Sequence, residues 1–267
     1  MVSEKVYVNG LSVIAPGLVE HDDVLAVLLG EKKWCPEPLP KLVPSLLPAN
    51  ERRRTTPLIK LALKTIQPLL KLGDDLNLTA IVFASSDGDL DIDDKICRAL
   101  AKEEKIVSPT QFHNSVHNAA AGYWAIAASM RAASVSLSAG DGTFAAGLID
   151  ALTQSLSEQQ NVLFVAYDVV APEPLNSARH FDYPVGIALR LGTTREESCL
   201  GTIQIALNDI EMNITHCKNG SLEPLRNANP IGVGIPLLEV LAMKLSGTVV
   251  LPYLMGKHLQ VNISNDE

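Results

Sequence analysis

The stretch from Ser134 to Val170, SVSLSAGDGTFAAGLIDALTQSLSEQQNVLFVAYDVV, limits the fold of this chain more than any other part of it. It reads as a strand, a tight turn around Gly140 and Gly142, a helix, and then a fully apolar strand. A turn from strand to helix is a place where several enzyme families display a nucleophile. The residue at the tip here is Asp141. Strand and helix patterns alternate through the rest of the chain, which predicts an α/β layered fold.

The other predicted elements fit that alternation. A strand is expected over 5–15, a helix over 20–34, and an extended proline-rich crossing over 35–48. A helix over 55–72 takes Thr55 or Thr56 as its cap and Pro57 in its first turn. An apolar strand over 78–86, a helix within 87–104 and one long helix over 108–131 precede the Ser134 turn. After it come strands over 183–191 and 199–207, a helix over 230–245, and a closing strand pair turning at Met255–Gly256. No linker divides the sequence, so one domain over 1–267 is expected.

Composition narrows the class. The 267 residues are 47% hydrophobic and only 4% aromatic, so the core is built from Ala, Val, Leu and Ile. A net charge of −8 and an isoelectric point near 5.3 leave no basic footprint for nucleic acid. Cys35, Cys97, Cys199 and Cys217 are scattered and form no CxxC pair, as in reduced cytosolic proteins. The N-terminus shows no pattern of a secretory signal. The longest run without Lys, Arg, Asp or Glu, 110–130, carries His113, Asn114, His117 and Asn118, which do not suit a membrane span. A cytoplasmic location is expected, with no metal and no cofactor.

Several groups could carry chemistry. Asp87, Asp89, Asp91, Asp93 and Asp94 lack the glycine and glutamate of an EF-hand and read as acids at a helix start. His113 and His117 share a face of the expected helix, without the HExxH glutamate, and read as a hydrogen-bonded helix contact. Ser115 and His117 are two apart and do not face each other on a helix. Gly140, Gly142 and Gly147 do not make GxGxxG, and Ala139 and Thr143 break the hydrolase elbow pattern around Asp141. Arg52, Arg53 and Arg54, with Lys60 and Lys64, form a basic patch suited to an acidic partner.

The order of these pieces resembles the N-terminal half of a β-ketoacyl synthase, within the thiolase-like superfamily. VYVNGLSVIAPG is similar to that family's opening strand, and Ala120, Ala121 and Gly122 match the AAG of its NMAAG helix. The family's VSTAC strand end falls on LSAGD, and GTFAAGLIDALTQSLSEQQNVLFVAYD resembles the helix and strand that follow the cysteine. Residues 1–170 look like that N-terminal half, and 171–267 like a shortened C-terminal part. The resemblance implies a thiolase-like, ketosynthase-like layered α-β-α fold, truncated relative to full condensing enzymes.

The resemblance also implies what is missing. In the family a cysteine at the elbow takes the acyl chain, and two histidines assist condensation. Asp141 stands nearest the cysteine position, the HGTGT and GFGGHN motifs are absent, and His180, His216 and His258 sit in other contexts. A carboxylate is a poor substitute for a thiolate in thioester chemistry. It is expected here as a cap of the helix beginning near Thr143. SPTQFHNSVHNAAAGYW, SLSAGDGTFAAGL and LRNANPIGVGIPLLEVLA resemble the short chain-length-factor-like subunits of bacterial aryl polyene pathways.

A non-catalytic subunit of that kind would pair with a true ketosynthase across the strand before the elbow. Ser134, Val135, Ser136, Leu137 and Ser138, with His117 and Asn118, are the expected subunit contacts, and Arg52, Arg53 and Arg54 the expected docking site for an acyl carrier protein. Two other readings stand beside it: a diverged acyltransferase or hydrolase using Asp141 or a histidine, and a carrier-protein docking module without chemistry.

Overall fold

The computed structural model describes residues 5–71, 73–208 and 212–265. In chain order the elements are β1 (Val6–Ile14), α1 (His21–Leu28), α2 (Ala49–Arg54), α3 (Pro57–Ile66), β2 (Thr79–Ala84), α4 (Leu90–Leu100), α5 (Pro109–Asn114), α6 (Ala119–Ala128) and β3 (Ser134–Leu137). They continue with α7 (Thr143–Glu158), β4 (Asn161–Asp168), α8 (Leu175–Ala178), β5 (Val185–Gly192), β6 (Gly201–Asn208), α9 (Glu223–Arg226), α10 (Ile235–Ala242), β7 (Gly247–Pro252) and β8 (His258–Ser264).

The strands form one eight-stranded sheet in the order β3-β2-β4-β5-β1-β6-β8-β7. β2 runs parallel to β3 and β4, and the remaining neighbours are antiparallel. The apolar runs of β2 and β4 are buried on both faces, as a strand covered from both sides must be. Ala80, Val82, Phe164 and Ala166 face a core shared with α1, α7 and α10. Ile81, Phe83, Leu163 and Val165 face a second core under α3 and α6. The layering is thus α-β-α over the β3 end of the sheet. At the other end one face stays polar, with Asn208 donating to Gln260, Gln260 to Asn262 and Thr248 to Asn262.

Local chemistry explains the boundaries. Thr56 caps α3 by accepting from the Ile59 amide, with Pro57 at its first position, as expected. The expected helix over 55–72 leaves α-geometry after Ile66 and tightens at Gln67–Leu69, where Pro68 has no N–H to continue the ladder; position 72 lies outside the described residues. Asp89 caps α4 and Asp91 and Asp93 occupy its first turn, the role read for this acidic run. Met255 and Gly256 take left-handed φ values of 55° and 73° at the β7–β8 turn, where it was expected.

The single helix expected over 108–131 is two helices, α5 and α6. The break at Ser115–Asn118 is tied from outside the segment by His117 Nε2, 2.9 Å from the Ser85 carbonyl, and from within it by Ser115 Oγ, which donates to Phe112 O at 2.9 Å. His113 and His117 therefore do not share one helix face. Of the groups read as a hydrogen-bonded helix contact, Asn114 makes one, while His117 bonds a carbonyl just past β2 and His113 only stacks on a ring. Asn114 Nδ2 donates to Arg54 O at 2.7 Å, and the Tyr123 hydroxyl donates to Asn114 Oδ1 at 3.1 Å.

Candidate functional site

The elbow forms as the sequence predicts. β3 ends at Leu137, Gly140 takes a φ of +54° in a tight turn through Gly142, and α7 begins at Thr143. The left-handed conformation at Gly140 requires a residue without Cβ strain. Thr143 closes the turn, its hydroxyl accepting from the Ala139 amide at 2.9 Å and donating to Gly140 O at 2.7 Å. Gly147 lets α7 descend onto the sheet, since a Cβ there would lie 2.6 Å from the Phe164 ring and 2.8 Å from Ala84 Cβ. This glycine serves packing and not phosphate binding.

Asp141 does not cap α7, which corrects the sequence reading. The cap position is Gly142 and no side chain bonds there. The Asp141 side chain is 83% exposed and its Oδ1 lies 2.9 Å from Arg179 Nη2. Arg179 also pairs with Asp87 and stacks over the Phe181 ring at 5.3 Å. Sequence reasoning missed Arg179 because it stands on a different loop, just past α8.

Among the described residues, neither a thiol nor a histidine is hydrogen-bonded or ion-paired to Asp141. Cys35 and Cys97 are exposed in the proline-rich crossing and on α4; Cys199 and Cys217 flank β6 and the segment before α9. Burial, with Glu239 and Glu223 nearby, pushes the Cys217 thiol far up and away from a reactive thiolate. His180 pairs with Asp182 at 2.9 Å, and His216 with Glu223 at 2.8 Å. His258 is buried at the start of β8. His113 stacks edge-on against Tyr123 at 6.0 Å. The carbonyl of Ser85 can only accept, so His117 bonds it through a protonated Nε2 and is spent on structure.

Beneath the elbow a polar network joins the C-terminal ends of β2, β3 and β4. Ser138 Oγ donates to Ser86 O at 2.6 Å. The Asp168 carboxylate accepts from Ser85 Oγ at 2.8 Å, from the Ser86 amide at 3.0 Å and from Ser86 Oγ at 2.6 Å. Those donors favour the charged form, but complete burial outweighs them and pushes the Asp168 carboxyl up to about 7. Between the ordinary value of 3.8 and about 7 the native state holds a proton that the unfolded chain has released. Stability contributed by this group is therefore full below that window and falls as pH rises through it. Asp168→Asn cannot ionise, so its stability relative to the native chain is expected to rise with pH across the window, by on the order of 1.4 kcal/mol per unit at most. Chemical denaturation of both proteins at pH 5, 6 and 7 checks this; parallel pH curves would contradict it.

Among the described residues β3 lies at the edge of the sheet, paired only with β2. Ser134 is exposed, Val135, Ser136 and Leu137 are half-buried, and Ser136 Oγ is an enclosed hydroxyl without a hydrogen-bond partner among the described residues. Asn118 sits at the start of α6, which packs beside β3. Phe112, Val116 and Ile126 are exposed apolar side chains of α5, the α5–α6 link and α6. Arg52, Arg53 and Arg54 lie together at the end of α2, with Arg53 and Arg54 exposed and Arg54 pairing Glu51 at 3.6 Å. No described helix is long and apolar enough to cross a membrane.

Comparison with known proteins gives this geometry a family. No curated protein matches the chain by sequence. Among solved structures, one chain of the ketosynthase (ApeO) in complex with its chain length factor (ApeC) from Xenorhabdus doucetiae is 24% identical. It superposes with a TM-score of 0.74 over 97% of this chain and 99% of its own. A chain of the AntDE:AntF complex, a type II acyl-carrier protein with its ketosynthase, is 12% identical with a TM-score of 0.75, covering 98% of this chain and 99% of its own. A β-ketoacyl synthase from Burkholderia phymatum is 11% identical with a TM-score of 0.60, covering 91% of this chain and 71% of its own. These likenesses establish the thiolase-like, ketosynthase-like fold expected from the sequence. The family model described as "Beta-ketoacyl synthase, N-terminal domain" matches residues 30–227, well over half of the sequence. Elbow, sheet and family model agree: the chain belongs to the β-ketoacyl synthase N-terminal domain family.

Proposed function

We propose that this chain is a non-catalytic, chain-length-factor-like subunit that pairs with an active β-ketoacyl-ACP synthase in type II polyketide or fatty-acid-like biosynthesis, of the aryl polyene kind, in the cytoplasm. The observation that carries the reading is the elbow. Its scaffold is complete, yet its tip holds an exposed carboxylate paired with Arg179, and among the described residues no hydrogen bond or ion pair joins it to a thiol or a histidine. A diverged acyltransferase or hydrolase would need a base next to its nucleophile, and Asp141 has an arginine instead. The open edge of β3, the unpartnered Ser136 hydroxyl and the apolar side chains of α5 and α6 support a pairing surface. The ApeO–ApeC complex, whose members form such a pair, supports the same reading by fold.

Co-expression of the chain with a cysteine-bearing ketosynthase of the type II kind, followed by affinity capture of one partner, tests this. A stoichiometric complex is expected; a monomer that ignores the ketosynthase would overturn the pairing. Arg52, Arg53 and Arg54 are the carrier-protein docking residues of this account, their clustered guanidinium groups suiting an acidic helix. Reversing all three to glutamate is expected to weaken carrier-protein binding by the complex about tenfold or more. It should also flatten the salt dependence that such contacts impose. Titrations at low and physiological ionic strength read both effects.

A further inference from the structure

A cleft of about 370 Å³ opens where the proline-rich crossing meets the start of α3 and the loop after β4. That volume falls in the range of small-molecule sites, about 300–1,000 Å³. Leu39 and Leu42 of the crossing form one wall, Pro57 and Leu61 of α3 a second, and Val169 and Val170 the third. The crossing is thus more than the spacer its composition suggests: its leucines pack on the second core and hold the wall in place. Prolines at 40, 57 and 184 around the rim fix the backbone, so the cleft is formed before anything enters it.

Two cations stand at this apolar cleft, Lys41 and Lys60. Neither has an ion-pair partner among the described residues. A second concavity shares Pro57, Val169 and Val170 and is also lined by Asp89 and Asp91. The groove therefore has a basic end and an apolar middle, while the two acids beyond it are already engaged, Asp89 in capping α4 and Asp91 in pairing with Lys95. A ligand with an apolar tail and a negative end is oriented by the lysines, which attract that end. A protein partner would instead need a contact of about 800 Å², far broader than this concavity.

We propose that this cleft binds a single-chain amphiphile with an anionic end group. Its tail lies over Leu39, Leu42, Val169 and Val170, and its carboxylate or phosphate is held by Lys41 and Lys60. The site is separate from the β3 edge and from the elbow, so it stands or falls independently of subunit pairing.

Calorimetric titration of the full chain with decanoate, decyl phosphate and decanol, together with amide NMR shift mapping, tests it. Saturable binding of both anions is expected, with decanol weaker by about tenfold or more, and with shifts centred on 39–42, 57–61 and 169–170. A tighter decyl phosphate assigns a phosphate end group, and a tighter decanoate a carboxylate. The surface double variant Lys41→Glu/Lys60→Glu should weaken the anions about tenfold or more and leave decanol unchanged. Val170→Asp should weaken all three. Circular dichroism confirms that both variants fold. Equal affinity for decanol and decanoate, unchanged affinity in the lysine variant, shifts centred elsewhere, or no saturable binding would each overturn the proposal.

Discussion

Replacing Gly147 with alanine is expected to lower the melting temperature by roughly 4–8 °C, the shift that about 2 kcal/mol produces in a chain of this size. The sign is the informative part. In an exposed helix interior, Gly→Ala stabilises by up to about 1 kcal/mol, because alanine loses less backbone freedom. Here the added Cβ would sit 2.6 Å from the Phe164 ring and 2.8 Å from Ala84 Cβ, inside contact distance of a fully buried core. Phe164 is also locked edge-on against Phe144 of α7 at 5.4 Å, so its ring cannot swing away freely. Overpacking of this kind outweighs the propensity gain. The double variant Gly147→Ala/Phe164→Leu should recover part of the loss, a coupling that calorimetry of the two single variants and the pair would read. An unchanged or raised melting temperature in Gly147→Ala would show that α7 does not pack so closely on β4.

A proline at Ser136 is expected to cut affinity for the ketosynthase subunit tenfold to about a hundredfold while the free chain keeps its stability. Ile81 N donates to Ala133 O at 3.0 Å, and Ser85 N to Leu137 O at 3.2 Å. In a parallel ladder this directs the polar groups of 133, 135 and 137 to β2 and those of Ser134 and Ser136 to the open edge. Proline at 136 removes one outward N–H, leaves the β2 ladder intact, and favours the extended backbone that residue 135 already has. It also deletes a hydroxyl that is enclosed and unsatisfied in the free chain. Surface plasmon resonance against the immobilised ketosynthase measures the loss. An unchanged affinity would move the pairing surface away from the β3 edge.

Much of this was readable in the sequence for a physical reason. β2 and β4 are apolar runs buried on both faces, and the glycines around Asp141 mark a turn whose geometry only local residues decide. What was not readable depended on partners far along the chain. The α5–α6 break needs Ser85, which lies 32 residues before His117. Asp141 looked like a cap because caps are local, yet Arg179 claims it from beyond α8. The Asp168 network draws on two strands whose neighbourhood only the sheet order reveals. The cleft has walls from separate segments, and its crossing read as a bare connector until α3 and the β4 loop stood opposite it.

The central claim is that this chain shapes a condensing complex without carrying the acyl group. Intact-mass analysis of both subunits, after the purified pair is incubated with acyl-loaded carrier protein, tests it most directly. The account predicts an acyl adduct on the ketosynthase subunit and none on this chain. An adduct on this chain, lost in Asp141→Asn or at one of its four cysteines, would contradict it.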